Sequence, residues 1–494
     1  MKRWWPAALI VAAWIWPQER AEDWALKSAA MMMVATIMGA VAAWRASRRP
    51  VDRTALGWWA ALAGWCALTC LWSVDPVRSV GQTMVVASLG FVLMVGGIRV
   101  QARVVAWSWL AVAVVESLVV LSQVVGSSRG QRFSGSFVDA NHLGALEAGA
   151  AIIAFLMARS TRGPISLMLA MICGLAVLAV GVSGSRGAAL ALVVGYGILV
   201  SLHGTPDLFP WNWSLLFPGG WISLMVFVFV FYSSAMARFF TFDPSKDPLA
   251  WKRWSLWWAS FRVLVEHPVG TGLGGFGDAL GIMNLGGGAG RFSTEFSHSE
   301  PIQWMCEAGL PGLALGAVFL VILARRMRRP VTGNTSAKGL AAALAGMSVV
   351  ALVEFPLHVP VLGWLAVLGL LGLKDHEPTR IRQLVTKSGG RFWVAGLAAV
   401  ACLWIGLAGV TDREFAIGAK LAAAGDQAGA VVRFRTALLF LPVHAGALQG
   451  LAVLEPLDPA SAARLALARR MRPGWISPPV RTPPDWKPVI VGAR

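Results

Sequence analysis

Stretches of roughly 20 mainly apolar residues recur along most of this 494-residue chain and restrict what it can fold into. A helix of about that length crosses a bilayer core about 30 Å thick. Only 14% of the residues are charged, whereas soluble proteins carry about a quarter, so a soluble fold is excluded for the chain as a whole. The sequence therefore predicts an all-α polytopic membrane protein with about 12–13 transmembrane helices. The predicted spans lie near residues 5–17, 24–44, 54–72, 80–98, 104–125, 140–158, 165–182, 187–202, 214–232, 308–324, 338–353, 357–373 and 392–410.

The distribution of basic residues predicts the orientation of these spans. The chain has 43 Lys and Arg against 25 Asp and Glu, and a cytoplasmic N-terminus places twenty of the basic residues in cytoplasmic segments. The short external loops hold only Arg20, Arg78, Arg129, Arg132 and Arg186. This asymmetry indicates an inner-membrane protein and explains most of the net charge of +18 without a nucleic-acid partner.

Three regions are expected along the chain. Residues 1–410 form the multi-span domain, which includes one large external loop at 233–307. Residues 411–473 form a helical tail, where the pattern GDxxxAxxxFxxALxxxP is typical of a tetratricopeptide-like repeat. Such repeats usually hold peptides, so the tail suggests a protein partner, and thirteen spans would leave the tail on the periplasmic side. Residues 474–494 are rich in proline and are expected to be disordered.

The first candidate for chemistry is Arg186, in the turn Ser183-Gly-Ser-Arg-Gly187 between two spans. Glycines let the backbone approach a ligand closely, and a guanidinium group with neighbouring hydroxyls suits an anion such as phosphate. Alternatively, the arginine anchors the protein to lipid headgroups.

Two further external segments carry candidate residues. Arg132 is a second cation, and it precedes Asn141 and His142 at the start of a span. His298 stands near Glu300 and could act as a general base for a hydroxyl group, or could cap the helix that begins after Pro301. Ionisable groups near or inside spans are candidates too, although a single interhelical hydrogen bond or snorkelling also explains them. These groups are Lys27, Glu116, Glu147 and Glu354.

The large external loop contains an amphipathic segment and two glycine runs. Trp251, Trp254, Trp257 and Trp258 fall on one broad helical face, which predicts a helix lying at the membrane surface. The glycine runs at 270–277 and 286–290 lack the Lys-Ser/Thr of a phosphate-binding loop, so they do not indicate nucleotide binding. The external carboxylates form no tight Asp-x-Asp pair, and no metal or cofactor is expected.

Taken together, these motifs resemble those of the O-antigen ligase and polymerase superfamily, whose members act on polyprenyl-pyrophosphate-linked glycans. The similar stretches cover roughly residues 130–325, and the pattern departs at Ala140 and Ser299, where the family often has proline and asparagine. The matching motifs are Asp139-Ala-Asn-His-Leu-Gly144, Ser185-Arg-Gly-Ala-Ala189, Arg253-Trp-Ser-Leu-Trp257 with His267-Pro-Val-Gly-Thr-Gly272, and His298-Ser-Glu-Pro-Ile-Gln303 with Glu307-Ala-Gly-Leu-Pro-Gly312.

The resemblance implies transfer of a glycan from its pyrophosphate carrier to an acceptor hydroxyl on the periplasmic face, as in lipopolysaccharide biosynthesis. It implies that Arg186 and Arg253 bind pyrophosphate with support from Arg132, and that His298 is the base with Glu300 as a partner. Asn141 and His142 are assigned to substrate binding through the same motifs. A polymerase that uses a second lipid-linked glycan and a protein O-oligosaccharyltransferase stay open. A transporter is disfavoured because the sequence shows no internal duplication.

Overall fold

A computed structural model of the protein describes residues 23–46, 53–94, 100–125, 132–137, 139–203, 248–282, 294–331, 334–373 and 389–471. Every regular element in these ranges is helical, which confirms the predicted all-α class. The helices are α1 Asp23–Ala46, α2 Arg53–Thr69, α3 Pro76–Met94, α4 Ala102–Val125, α5 Ala140–Ser160, α6 Pro164–Ser183, α7 Arg186–His203, α8 Pro248–Glu266, α9 Phe276–Ile282, α10 Glu300–Val331, α11 Thr335–Val353, α12 Pro360–Leu373, α13 Gly389–Ala423, α14 Gln427–Phe440, α15 Ala445–Leu454 and α16 Ser461–Met471.

Six of the described helices are long and apolar enough to cross a membrane, as expected for a multi-pass protein. They are Pro76–Leu93, Ala102–Val125, Ala140–Ser160, Pro164–Ser183, Glu300–Arg325 and Thr335–Val353. Shorter apolar helices cover Met32–Trp44, Arg186–Ser201, Val361–Leu373 and Ala445–Leu454. Each predicted span within the described residues coincides with a helix. The predicted spans 5–17 and 214–232, the glycine run 286–290 and the end from residue 474 lie outside the described residues.

Helix α5 forms the centre of the bundle, and 78% of its apolar stretch is buried. Small residues allow its neighbours to approach closely, as is common between membrane helices. A Cβ atom on Gly149 would come within 2.4 Å of the Trp109 ring of α4. The indole of Trp109 also donates to the backbone carbonyl of Leu146, at 2.9 Å. Helix α5 is therefore packed tightly against α4, and its first turn carries Asn141 and His142.

A glycine-rich loop between α8 and α9 docks onto a break in α10. The break is at Gly309, whose φ is 70°. The N–H of Thr271 donates to the carbonyl of Cys306 at 3.0 Å, and the N–H of Leu310 donates to that of Pro268 at 3.0 Å. Gly270 has φ 93°, and an added Cβ would lie 2.3 Å from the carbonyl oxygen of Glu307. The glycines of this loop and of α10 thus permit direct backbone contact.

Replacing Gly270 by alanine should therefore destabilise the fold, by more than about 1 kcal/mol. The added methyl group collides with backbone that cannot move aside, and alanine rarely adopts a positive φ. Thermal unfolding of the purified protein measures the effect. Gly197→Ala is the matched control because a Cβ there meets no atom within 4 Å. Equal stability of the two variants would contradict the proposed packing.

Helix α13 extends from the multi-span region into the C-terminal tail without interruption. Its 35 residues span about 52 Å, which exceeds a bilayer core of about 30 Å. The helix crosses the expected domain boundary at residue 410. Its C-terminal part packs on α14, where the Phe415 and Phe434 rings lie 5.7 Å apart. A small core shared by α14 and α15 includes Phe434, Ala437 and Leu451.

Helix α8 exposes one apolar stripe and buries the opposite face against α9 and α10. Trp254 and Trp258 are 70% and 68% exposed, and Phe261 and Val265 continue the stripe. The prediction that Trp257 shares this face is wrong, because its indole donates to the carbonyl of Ser297 at 3.0 Å. At about 100° per residue, Trp257 and Arg253 both fall on the flank of the stripe.

Candidate active site

Four segments that are distant in sequence meet at one end of the helix bundle. They are the residues before and within the first turn of α5, the start of α8, the segment 294–299 before α10, and the junction between α11 and α12. Each segment carries one or two of the polar side chains that form a connected group. This end of the bundle is the candidate active site.

The centre of this group is Glu354, whose side chain is only 2% exposed. Its Oε1 accepts hydrogen bonds from Arg253 Nη2 and from Asn141 Nδ2, the latter at 2.6 Å. Its Oε2 lies 2.9 Å from His298 Nδ1. Arg132 Nη2 in turn donates to Asn141 Oδ1 at 2.6 Å. We call these five residues the Glu354 cluster: Arg132, Asn141, Arg253, His298 and Glu354. A buried carboxylate needs such donors to remain ionised.

The turn that carries Arg186 lies beside the Glu354 cluster. Arg132 Nε donates to the carbonyl of Ser183 at 2.8 Å, which connects the cluster to the end of α6. A Cβ on Gly144 of α5 would come within 2.9 Å of Ser185 Cβ, so the turn packs tightly on α5. Arg186 is half-buried and is the first residue of α7. The structure thus places Arg186 at the same end of the bundle as Arg253 and His298.

The backbone of His298 is held in an uncommon conformation. Its φ is 54°, the only positive value for a non-glycine residue within the described part of the chain. Gln303 Oε1 accepts from the N–H of Ser297 at 2.7 Å, and Trp257 donates to the Ser297 carbonyl. Strained residues persist where their surroundings fix them, and they concentrate at functional sites. The conformation of His298 is therefore an argument for function that the sequence did not offer.

The surroundings of His298 keep its imidazole neutral. Burial, reinforced by the Arg253 guanidinium, lowers the pKa of His298 from 6.5 to about 4. Because the ionised Glu354 can only accept, the hydrogen atom of the neutral ring lies on Nδ1. Nε2 then carries the free lone pair that a general base requires. The side chain of His298 is 26% exposed, so a substrate can reach it.

Glu300 has a different partner from the one suggested by its position in the sequence. Its Oε2 lies 2.8 Å from His358 Nδ1, and its Oε1 accepts the N–H of Leu357 at 2.7 Å. Burial alone would lower the pKa of His358, but the nearby Glu300 carboxylate outweighs it and raises that pKa to about 8. Glu300 begins α10, whereas the positive φ of His298 turns its ring away towards Glu354. Glu300 therefore ties α10 to the junction after α11.

His142 lies behind the Glu354 cluster in an aromatic environment. It is 4% exposed, its Nε2 atom has no partner in the described part of the chain, and its ring meets Phe355 edge-on at 4.8 Å. Phe355 also contacts the His298 ring at 5.0 Å and stacks on Phe296 at 4.2 Å. This placement favours a packing role for His142 over the direct substrate contact suggested by the sequence motif.

The sequence analysis names Glu354 as one of four candidate ionisable groups near or inside spans, but it does not predict that Glu354 joins His298, Arg253 and Asn141. Helix α11 ends at Val353, and Glu354 adopts extended backbone before Pro356 begins a 3₁₀ turn. The signal in the sequence was an ionisable group at the end of a predicted span. Among the described residues, no group of three or more His, Cys, Asp or Glu side chains is arranged to hold a metal ion.

Comparison with known protein families finds a match to part of the chain. The family model described as O-antigen ligase matches residues 169–317, under a third of the chain, and this range includes Arg186, Arg253 and His298. No curated protein matches the chain. The family implies a lipid-linked glycan and an acceptor as substrates, and a function of the ligase or polymerase type. The chain is therefore similar to the O-antigen ligase family over residues 169–317, and its apolar helices are those of a multi-pass membrane protein.

Proposed function

We propose that this protein is an O-antigen ligase-like glycosyltransferase. It transfers a glycan from a polyprenyl-pyrophosphate carrier, such as undecaprenyl pyrophosphate, to a hydroxyl group of an acceptor such as lipid A-core. The observation that carries the proposal is the meeting of His298 and Arg253 on one buried carboxylate, Glu354. A neutral base and a permanent cation at one position suit a reaction that removes a proton and releases an anion.

In the proposed reaction, His298 Nε2 takes the proton of the acceptor hydroxyl while the hydroxyl oxygen attacks the anomeric carbon of the glycan. A new glycosidic C–O bond forms, and the C–O bond to the pyrophosphate breaks. The electron pair of the broken bond stays on the pyrophosphate, which leaves with its polyprenyl chain. The proton on His298 passes to solvent before the next cycle. The reaction needs no nucleotide and no redox cofactor.

Arginine residues neutralise the leaving pyrophosphate in this proposal. Arg186 and Arg253 bind its oxygen atoms, because a guanidinium group stays charged at any working pH and donates two parallel hydrogen bonds. Arg132 supports them through Asn141, with which it forms a 2.6 Å hydrogen bond. These cations do the work that a metal ion would otherwise do, so we propose a metal-independent enzyme.

The exposed stripe of α8 supports a site at the membrane surface. The stripe is an exposed apolar face that runs along α8 and consists of Trp254, Trp258, Phe261 and Val265. Tryptophan is favoured at membrane interfaces. With this stripe in the lipid, Arg253 on its flank sits at headgroup depth, where the pyrophosphate of a polyprenyl carrier lies. The distribution of basic residues assigns this face to the periplasm.

A transfer assay with purified protein tests the proposal. The protein is reconstituted in lipid nanodiscs with a polyprenyl-pyrophosphate-linked glycan, and three acceptors are offered separately: lipid A-core, a second lipid-linked glycan, and a peptide with serine and threonine. We expect release of polyprenyl pyrophosphate that depends on lipid A-core, with one glycan attached per acceptor. The same assay with a chelator present should give the same rate.

The other acceptors distinguish the alternative functions. A ladder of products from the second lipid-linked glycan would make the protein a polymerase, and glycopeptide would make it a protein O-oligosaccharyltransferase. We also propose that the tail at residues 411–473 binds a protein partner. This partner would be an acceptor or a component of an export assembly. Failure of the donor to react with any acceptor would overturn the proposed chemistry.

A further inference from the structure

Glu354 makes a set of contacts that the proposed roles of the arginine and histidine residues do not use. Its carboxylate is buried, lies on a segment outside the matched family domain, and touches His298 with one oxygen and two donors with the other. No interaction with a ligand is needed to explain this arrangement. We propose that Glu354 is a positioning residue that fixes the tautomer and orientation of His298, a proposal that rests on the proposed function.

The argument begins with the orientation of Asn141. Arg132 has only donors, and its Nη2 faces one end of the Asn141 amide at 2.6 Å, so that end must be the oxygen. The NH₂ group of Asn141 is therefore the end that faces Glu354 Oε1, at 2.6 Å. The Arg253 guanidinium donates to the same oxygen. Oε1 is thus fixed as an acceptor of two hydrogen bonds.

The other carboxylate oxygen then determines the state of His298. Oε2 is also only an acceptor when Glu354 is ionised, and it lies 2.9 Å from Nδ1 of the imidazole. The ring must place its hydrogen on Nδ1, which leaves the lone pair of Nε2 directed away from Glu354. A carboxylate that orients a histidine in this way holds the correct tautomer without itself taking the proton.

Glutamine at position 354 provides a sharp test because its orientation is dictated by the same neighbours. Asn141 and Arg253 both donate, so the glutamine oxygen must stay at the Oε1 position. Its NH₂ group then faces His298 Nδ1, which must become an acceptor. The hydrogen of the ring moves to Nε2, and the base loses its lone pair while the packing and the contacts of Arg253 remain.

The experiment is a double-mutant cycle in the nanodisc transfer assay, with full-length protein carrying E354Q, H298A or both substitutions. We expect E354Q to lower kcat by about a hundredfold or more, since the wrong tautomer costs about ten-thousandfold in a serine protease. The KM for the donor should change by less than about threefold, because Arg253 keeps its acceptor. In the H298A background, E354Q should lower the residual kcat by less than about threefold.

Glu295→Gln is the matched control because Glu295, like Glu354, is a carboxylate that pairs with an arginine, in this case Arg78. Its kcat should equal that of the wild type. Equal losses from E354Q in the wild-type and H298A backgrounds would mean that Glu354 serves structure alone. A wild-type rate in E354Q would also overturn the proposal.

A second variant keeps the test decisive if E354Q does not fold, as judged by thermal unfolding. The same cycle with E354D keeps the charge but withdraws it by one methylene group, so a loss of kcat that disappears in the H298A background is again expected. These outcomes are separate from the proposed function itself. That function fails if the wild type does not transfer glycan, whereas normal transfer by H298A would remove the base and with it the proposed role of Glu354.

Discussion

Replacing His298 by alanine should lower the rate of glycan transfer by about a hundredfold to ten-thousandfold, the usual contribution of a general base. The protein should remain folded, since Glu354 keeps its hydrogen bonds from Asn141 and Arg253. The measurement is the initial rate of transfer in nanodiscs, with the amount of folded protein checked by thermal unfolding. His444→Ala in the tail is the matched control, because His444 contacts Asp412 rather than the Glu354 cluster. Normal transfer by H298A would remove the base from the mechanism.

The pH dependence of the wild-type enzyme gives a separate check on the same residue. Because burial and Arg253 lower the pKa of His298 to about 4, the imidazole stays neutral well below the ordinary value of 6.5. The transfer rate should therefore hold as the pH falls to about 5, and decline as the pH falls through about 4 and the base becomes protonated. A decline centred near pH 6.5 would show that His298 is not shielded in this way.

Replacing Arg253 or Arg186 by alanine should lower kcat/KM for the lipid-linked donor by about a hundredfold or more, since each removes a donor to the developing charge. Lysine at either position should recover only part of the loss, because it retains the charge but not the pair of parallel hydrogen bonds. Initial rates over a range of donor concentrations measure the effect.

Arg262→Ala is the matched control for the arginine variants. Arg262 lies on the same helix as Arg253 and is exposed, so its loss tests whether any cation on α8 contributes to donor binding. We expect a rate within about twofold of the wild type, in line with the small effects of exposed charges. Equal losses from Arg262→Ala and Arg253→Ala would point to general attraction of an anionic lipid rather than to a specific site.

The helices and the end of the bundle that carries the site could be predicted from the sequence, because both depend on local properties. The apolar spans follow from length and hydropathy. That the segments at the site are external remains a prediction from the distribution of basic residues. The catalytic roles given to Arg186, Arg253 and His298 remain predictions. Their placement at one end of the bundle is now described by the structure.

The contacts within the site could not be predicted, because they depend on how distant segments pack. Glu354 pairs with His298, which lies 56 residues earlier in the chain. The sequence suggested Glu300 as the partner of His298 because the two are only two residues apart. The difference arises from the positive φ of His298, which no sequence pattern revealed. Trp257 was misassigned for a similar reason, since a helical period predicts an angle but not which residues at its edge are covered by another segment.

In the proposed mechanism, the order of the Glu354 cluster residues along the chain also decides when the oriented base can form during biosynthesis. The ribosome makes Arg132 and Asn141 early, Arg253 and His298 later, and Glu354 last. A nascent chain that contains the helices up to α10 still lacks the carboxylate that completes the cluster. A chain that stalls between α10 and the junction of α11 and α12 therefore carries Arg132, Arg253 and His298 but not the carboxylate that we propose orients the base.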